Sequence, residues 1–490
     1  MSFPNSPGVY PRLTNQSYSV NQGGVFSGAI VVTAKRGSTD RVRTVTSQTE
    51  FYNIFGYPDK TVPSMYCAER FLARAGILHL KRVIVDAVAA TGTINQDAST
   101  FATITAENEG TWGNNVTITF EDISTFEGAG IMRAIIRENG LEVERFTVSR
   151  DQGAKDGFGN ALYVDDVINN QSEYIRIADD PQVAGSYPFG TAFTMTGGTD
   201  DTTAVDAGDI VNAWDSFNNP DELSVSVLIN GGFTTTAVQV KILAIAEERG
   251  DCHAILDVPQ ADSTDVAAMI THRQSTLNAD SRFGSIYGGW LRIYDPNLDA
   301  EVTIPPSGDV AAVYGYTIET AERWVAPAGT QYGVIPNSLG VSKVFTEGER
   351  DLLYVAGINP VTSFAGSAAI VWGQKTLRIG QTATNRVNVA NLLTWSSVRM
   401  KESLRPFVFQ PNTNQTRQSI NFLLTSFWES IKQRGGVYDY SVNTGEDINT
   451  ATVIDANQVR IQVYIQPTRA AEFIQVETVV TSTGVTFTTA

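Results

Sequence analysis

The residues able to do chemistry in this chain are few and scattered. There are three histidines, at positions 79, 253 and 272, and two cysteines, Cys67 and Cys252. A serine hydrolase needs a base within reach of its nucleophile. His79 precedes an apolar segment with no glycine turn after it, His253 opens the apolar run 254–258, and His272 falls in a helical pattern. Gly366-Ser367-Ala368-Ala369 has the composition of a serine nucleophile motif in the wrong chain context. Asp200, Asp201, Asp206 and Asp209 offer oxygen ligands, but their spacing is not that of a calcium loop, and turns and helix caps account for them. Zinc would need a denser His/Cys set, and the cysteines form no CxxC pair. Phosphate-cradling glycine patterns are absent. The chain therefore reads as a non-enzyme, without cofactor or metal.

Charge is the more informative signal. The 490 residues carry a formal net charge of −17, yet between Val361 and Arg434 nine Lys and Arg stand against the two acids Glu402 and Glu429. Such asymmetry points to an acidic partner surface. Lys375, Arg399, Lys401 and Arg405 are the candidate contact residues. An acidic whole argues against a general nucleic-acid binder. No apolar run approaches the roughly 18 residues of a membrane span. The opening Met1-Ser2-Phe3-Pro4 resembles no signal peptide, so synthesis and use without classical secretion are expected.

Length predicts two to four domains. Residues 1–25, rich in Pro, Gly, Ser and Asn, read as an extended arm. Strands are expected over 28–34 and 80–88, with a helix over 64–76 capped by Ser64. Residues 91–199 alternate Thr, Val and Ile between turn residues, the texture of an inserted β-rich domain. An α/β rhythm follows: strands at 223–229, 253–258 and 289–294, and helices at 234–249, 263–280 and 309–322. This implies a mainly parallel sheet covered by helices. Two helices, 388–404 and 413–434, precede strands at 459–465 and 474–480. The second helix places Ile420, Leu423, Leu424, Phe427, Trp428 and Ile431 on one face.

Across this framework the sequence resembles tail sheath proteins of contractile bacteriophage tails. The likeness rests on Pro7-Gly8-Val9-Tyr10, Gly197-Gly198-Thr199-Asp200, Pro305-Pro306-Ser307-Gly308, the run 323–329, Gly357-Ile358-Asn359-Pro360, the run 371–377, Val387-Asn388-Val389-Ala390, Phe409-Gln410-Pro411-Asn412 and the run 467–474. The resemblance implies a multidomain α/β plus β protein with four parts. These are an arm at 1–25, a discontinuous subtilisin-like α/β domain at 26–90 and 200–360, the β-rich insertion at 91–199, and an α+β sheath core domain at 361–490 ending in a strand arm. It implies stacked hexameric rings around a tail tube, with baseplate and terminator partners, in a virion tail assembled in the host cytoplasm. It places inter-subunit strand pairing at Val9, Tyr10, Phe473, Ile474, Val476, Thr478 and Val480. Where a subtilisin-like enzyme would end its first sheet strand in a catalytic Asp, this chain has Asn230. Family members often carry adjacent arginines where this chain has Ala390 and Asn391, which leaves the tube-contacting helix open. An inactive hydrolase-like protein and a non-contractile virion component, such as a baseplate or decoration protein, are the rival readings.

Overall fold

The structure is a computed structural model, and it describes residues 25–96, 99–202 and 204–476. These fall into two units, residues 25–323 with 327–399, and residues 324–326 with 400–476. The first unit opens with β1 (Ser27–Val32), the edge strand β2 (Arg43–Val45), helices α1 (Gln48–Phe55) and α2 (Pro63–Leu72), and β3 (Ile77–Arg82). Helix α2 starts two residues earlier than a Ser64 cap predicts. Pro63 takes the first helical position, where its fixed φ and missing N–H cost nothing, so Val62 is the N-cap and makes no side-chain cap. Strand β3 begins ahead of the expected 80–88 segment and takes in His79; Val85–Val88 forms a separate short strand paired with Thr199–Asp201.

The next stretch builds two small antiparallel sheets. They hold β4 (Thr91–Gln96), β5 (Ser99–Ala106), β6 (Val116–Asp122), β7 (Ile131–Glu138), β8 (Leu141–Ser149), α3 (Val164–Gln171), β9 (Ile175–Asp179) and β10 (Ala192–Thr194). Their strand orders are β9-β5-β4 and β10-β6-β7-β8. Alternate residues such as Ile104, Ile118, Phe120, Ile136 and Ile175 share one buried core with Val164 and Ile168 of α3.

The chain then returns to the first sheet through α4 (Ala207–Trp214), β11 (Val227–Ile229), α5 (Thr236–Arg249), β12 (His253–Asp257), α6 (Val266–Thr271), β13 (Gly284–Gly288), α7 (Ser307–Thr320), α8 (Glu347–Val355), β14 (Ile358–Ser363) and β15 (Ala369–Val371). The eight strands lie in the order β2-β3-β1-β11-β12-β13-β14-β15. The six central strands are parallel, and an antiparallel strand closes each edge. Strand β1 shows why the sheet is covered on both faces. Ile30 and Val32 enter a core with Phe71 of α2 and Val310 of α7, while Ala29 and Val31 enter another with Trp214 of α4 and Ile242 of α5. Gly308 lets α7 lie on α2, because a Cβ there would stand 2.4 Å from the Cys67 backbone.

Two expectations fail here. The predicted helix 263–280 is broken: Asp265 caps α6, which runs into a π-helical turn, His272–Leu277, ended by Asn278 in the left-handed region. The strand placed at 289–294 is not in the parallel sheet. Gly284–Gly288 occupies that place, and Leu291–Asp295 pairs outside it with Ala300–Ile304. Gly and Ser make β13 look like a turn in sequence, yet its small residues fit beneath close-packed helices: a Cβ at Gly284 would meet Leu243 at 2.3 Å.

Helix α9 (Val387–Leu404) runs through residue 400, where the second unit begins. That unit holds α10 (Asn414–Gln433) and a hairpin of β16 (Val437–Asn443) and β17 (Gln462–Pro467). Thr413 caps α10 by accepting the Thr416 N–H, and all six expected apolar residues are buried. The penultimate strand lies slightly later than predicted and pairs within the chain, Tyr440 opposite Ile465.

Candidate interaction surface and buried polar centre

The groups that could do chemistry are best followed from the carboxyl ends of β11 and β12. Asp257 is fully buried, and its carboxylate accepts the Ser307 N–H (2.9 Å), the Ser307 hydroxyl (2.7 Å) and the Gly232 N–H (3.0 Å). Burial pushes its pKa up to about 7 against the pull of those donors. Gln239 of α5 donates from Nε2 to the Asp257 carbonyl (2.7 Å) and to Asn230 Oδ1 (3.2 Å). Its own Oε1 lies 3.0 Å from His272 Nε2, which must therefore carry the proton. This network seats the α7 N-terminus on the sheet; Ser307 has no solvent exposure and its nearest base partner is a carboxylate, not an imidazole.

The other histidines are engaged elsewhere. His253 Nε2 meets the Ser285 hydroxyl at 2.7 Å, and burial together with Arg282 lowers its pKa to about 3. His79 lies inside β3 rather than before it, between the Thr44 hydroxyl and the Ser224 carbonyl. Ser367 donates to the Phe364 carbonyl in an exposed turn. Burial pushes both cysteine thiols up, away from the reactive thiolate form. Asp206 and Asp209 form a capping box on α4, and Asp200 accepts the Thr111 N–H and hydroxyl at 2.7 Å. Among the described residues, no three His, Cys, Asp or Glu side chains are grouped to hold a metal.

Several of the nine cations between Val361 and Arg434 are buried or paired. Arg417 is buried against Asn412, Arg378 pairs with Asp280 at 3.4 Å, and Lys432 pairs with Asp439 at 2.8 Å. Lys375 is half-buried, its Nζ donating to the Tyr354 carbonyl (2.5 Å) and lying 4.4 Å from that ring's centre. Arg399 is half-buried in a cleft of about 90 Å³ shared with Arg323 and Trp395. Burial, with Arg399 adding to it, brings Arg323 down to about 10. Lys401 and Arg405, by contrast, are exposed. Arg399 and Lys401 lie two apart on α9 and so do not share a face.

Of the arm residues, Phe473, Ile474 and Val476 are 83%, 81% and 80% exposed and carry no strand. Val9, Tyr10, Thr478 and Val480 lie outside the described residues. The hairpin above them has only two strands among the described residues, so each strand keeps one unpaired edge there. Tyr438 and Tyr464 are also exposed on it. Sequence reading missed Asp257, Ser307 and Arg273 as structural centres. The Pro305-Pro306-Ser307-Gly308 run was the available signal for the second, since it marks a helix start.

Such a doubly covered α/β core, with a small terminal unit that among the described residues leaves strand edges and apolar residues exposed, defines a multidomain α/β protein. Comparison with known proteins places it further. Residues 203–377 match the phage tail sheath protein central domain, and residues 382–481 match the phage tail sheath C-terminal domain. The tail sheath protein of Enterobacteria phage T4 is 28% identical over 375 residues, covering 72% of this chain and 56% of that relative. The chain thus belongs to the phage tail sheath family, while the match spans little more than half the length of such curated relatives. The fold is that of the sheath tail protein of Desulfitobacterium hafniense (TM-score 0.64, 15% identity, 94% and 96% of the two chains). It is also that of the anti-feeding prophage helical sheath in the contracted state (TM-score 0.58, 17% identity, 97% and 99%).

Proposed function

We propose that the chain is the subunit of a contractile tail sheath, a non-enzymatic component of the virion tail assembled in the host cytoplasm. Hexameric rings of it stack around a tail tube between baseplate and terminator. Residues 26–90 and 200–360 act as a subtilisin-like domain, 91–199 as an insertion and 361–490 as the sheath core. The single observation that carries this reading is the C-terminal hairpin, two strands whose outer edges are unpaired among the described residues, followed by an exposed apolar segment. Unpaired edges accept a strand from another chain, and head-to-tail strand donation builds an open helical polymer. Strand links also tolerate the rigid-body motion that contraction demands, from a metastable extended lattice to a more stable one. Phe473, Ile474, Val476, Thr478 and Val480 serve as the C-terminal donor segment, with Val9 and Tyr10 in the N-terminal one. Lys401 and Arg405, exposed at the end of α9, are the tube-facing cations, with Arg399 and Lys375 as less accessible members of the same set.

Negative-stain electron microscopy of the purified full chain tests this directly. Long hollow tubes with a regular axial repeat are expected. A preparation that stays monomeric at every concentration, and remains so when tube protein is added, overturns the reading.

A further inference from the structure

One cleft of the α/β unit has a lining unlike the rest of this acidic chain. It measures about 290 Å³ and lies between the π-helical turn after α6, the end of α8 and the segment following β15. Its charged lining residues are Arg273, Lys375 and Arg378, and no Asp or Glu is among them. Asp280, which does not line the cleft, pairs with Arg378 (3.4 Å) and accepts the Ile379 N–H (2.9 Å).

Arg273 is only 4% exposed. Its Nη2 donates to the Leu377 carbonyl at 2.7 Å, but its Nε is buried without a hydrogen-bond partner. Gly357 faces that Nε: even a Cβ there would come to 3.7 Å, so the missing side chain leaves space beside the guanidinium. Burial lowers the pKa of Arg273, and Asp280 offsets this only in part. A buried cation with an unmade hydrogen bond is an unfavourable state that a bound anion relieves. Two apolar side chains stand on the rim, Val355 and Ile379 at 81% and 64% exposure, beside the polar Gln274, Asn278, Gln381 and Asn385.

We propose that this cleft receives a carboxylate from a second copy of the chain, an Asp or Glu flanked by apolar side chains. The guanidinium and ammonium groups supply charge-assisted hydrogen bonds to the carboxylate, and Val355 and Ile379 cover its neighbours. A free inorganic anion would leave Val355 and Ile379 bare, whereas a protein segment covers them. Charge complementarity selects the partner, because a chain with 52 acids against 35 Lys and Arg presents carboxylates in excess to its own copies. The inference rests on the self-assembly proposed above.

Two measurements on the full chain test it. In the first, unassembled protein is melted in sodium glutarate and in sodium chloride of equal ionic strength. Glutarate is expected to raise Tm by roughly 2 °C near saturation, and the rise should vanish in Lys375→Gln and Arg378→Gln. Those variants keep the buried Arg273, and their melts in chloride report whether they fold. No glutarate-specific rise in the wild type overturns the site. In the second, assemblies of unlabelled and 15N-labelled copies are treated with a zero-length carbodiimide, which joins an amine to a carboxylate in contact. Mass spectrometry should find Lys375 bonded to an Asp or Glu of the other isotopic copy. Tubes that form without such a bond overturn the second copy as occupant. Absence of tubes counts against the assembly reading instead, and the glutarate measurement still decides the cleft.

Discussion

The parallel sheet of the first unit and the hairpin of the second differ in residues and in finish: β1 and β11 are small and aliphatic, while β16 and β17 mix tyrosines with polar residues. In the sheet, β1, β11 and β12 are buried on both faces, and antiparallel strands close the two edges. In the hairpin, α10 buries one side while Tyr438, Tyr464 and the segment 473–476 remain exposed. Two-stranded sheets are marginal on their own. The contrast separates two roles: the inner strands of the sheet are paired on both sides and buried on both faces, whereas the two-strand hairpin keeps, among the described residues, unpaired edges suited to a strand from another chain.

The largest way to test that separation is to damage each region's core. Gly308→Leu would drive a side chain into the Cys67 backbone, where α7 and α2 have no slack. We expect a cost above the 1–3 kcal/mol of ordinary overpacking, read as loss of soluble protein or a collapse in Tm. Trp428→Ala, at a site 1% exposed, should cost about 3–5 kcal/mol. Its loss should be seen first in amide exchange of α10, β16 and β17, leaving β1 and β12 protected. Uniform loss of protection across both regions would show that they do not melt as separate units.

Next comes a pH test confined to the sheet. Asp257 has its pKa raised to about 7, so its contribution is present at acid pH and is lost as pH rises from about 4 through 7. His253, lowered to about 3, has the opposite sign: its contribution is present above about 6.5 and is lost as pH falls towards 3. The two slopes oppose each other between about 4 and 6.5. Asp257→Asn should therefore gain on the wild type as pH rises, by up to roughly 1.4 kcal/mol per unit, and expose the His253 slope. Parallel Tm curves for the two proteins from pH 4 to 8 would exclude a raised Asp257.

The sequence made the sheet's rhythm and the hairpin's helix legible for different reasons. Helix α10 shows its period because one face is wet, so Ile420 to Ile431 stand out against polar neighbours. Strand β13 is hidden in the sequence because Gly284, Ser285 and Gly288 carry no apolar signal; the small size of the glycines matters only once Leu243 packs against Gly284 and Ile358 and Met269 against Gly288. The break of the 263–280 helix was hidden too, since the π-helical turn depends on tertiary contacts such as Arg273 with Leu377. Polar centres were least legible. Asp257 and Ser307 lie 50 residues apart, and only the fold brings them together.

The smallest expected effects on stability fall on the open region, where they separate folding from association most cleanly. Removing residues after Glu472 takes away Phe473, Ile474 and Val476, which bury little within the chain. The melting temperature should move by no more than surface changes do, within about 0.5 kcal/mol, while tubes disappear from micrographs. Normal tubes from the truncated chain would refute strand donation by this segment. Lys401→Glu with Arg405→Glu should be as mild for folding, because both side chains are exposed. It should leave self-assembly intact and weaken co-sedimentation with the tube, most visibly at low salt, where screening is weakest. Tube binding that ignores both salt and these charges would remove the end of α9 from the interface.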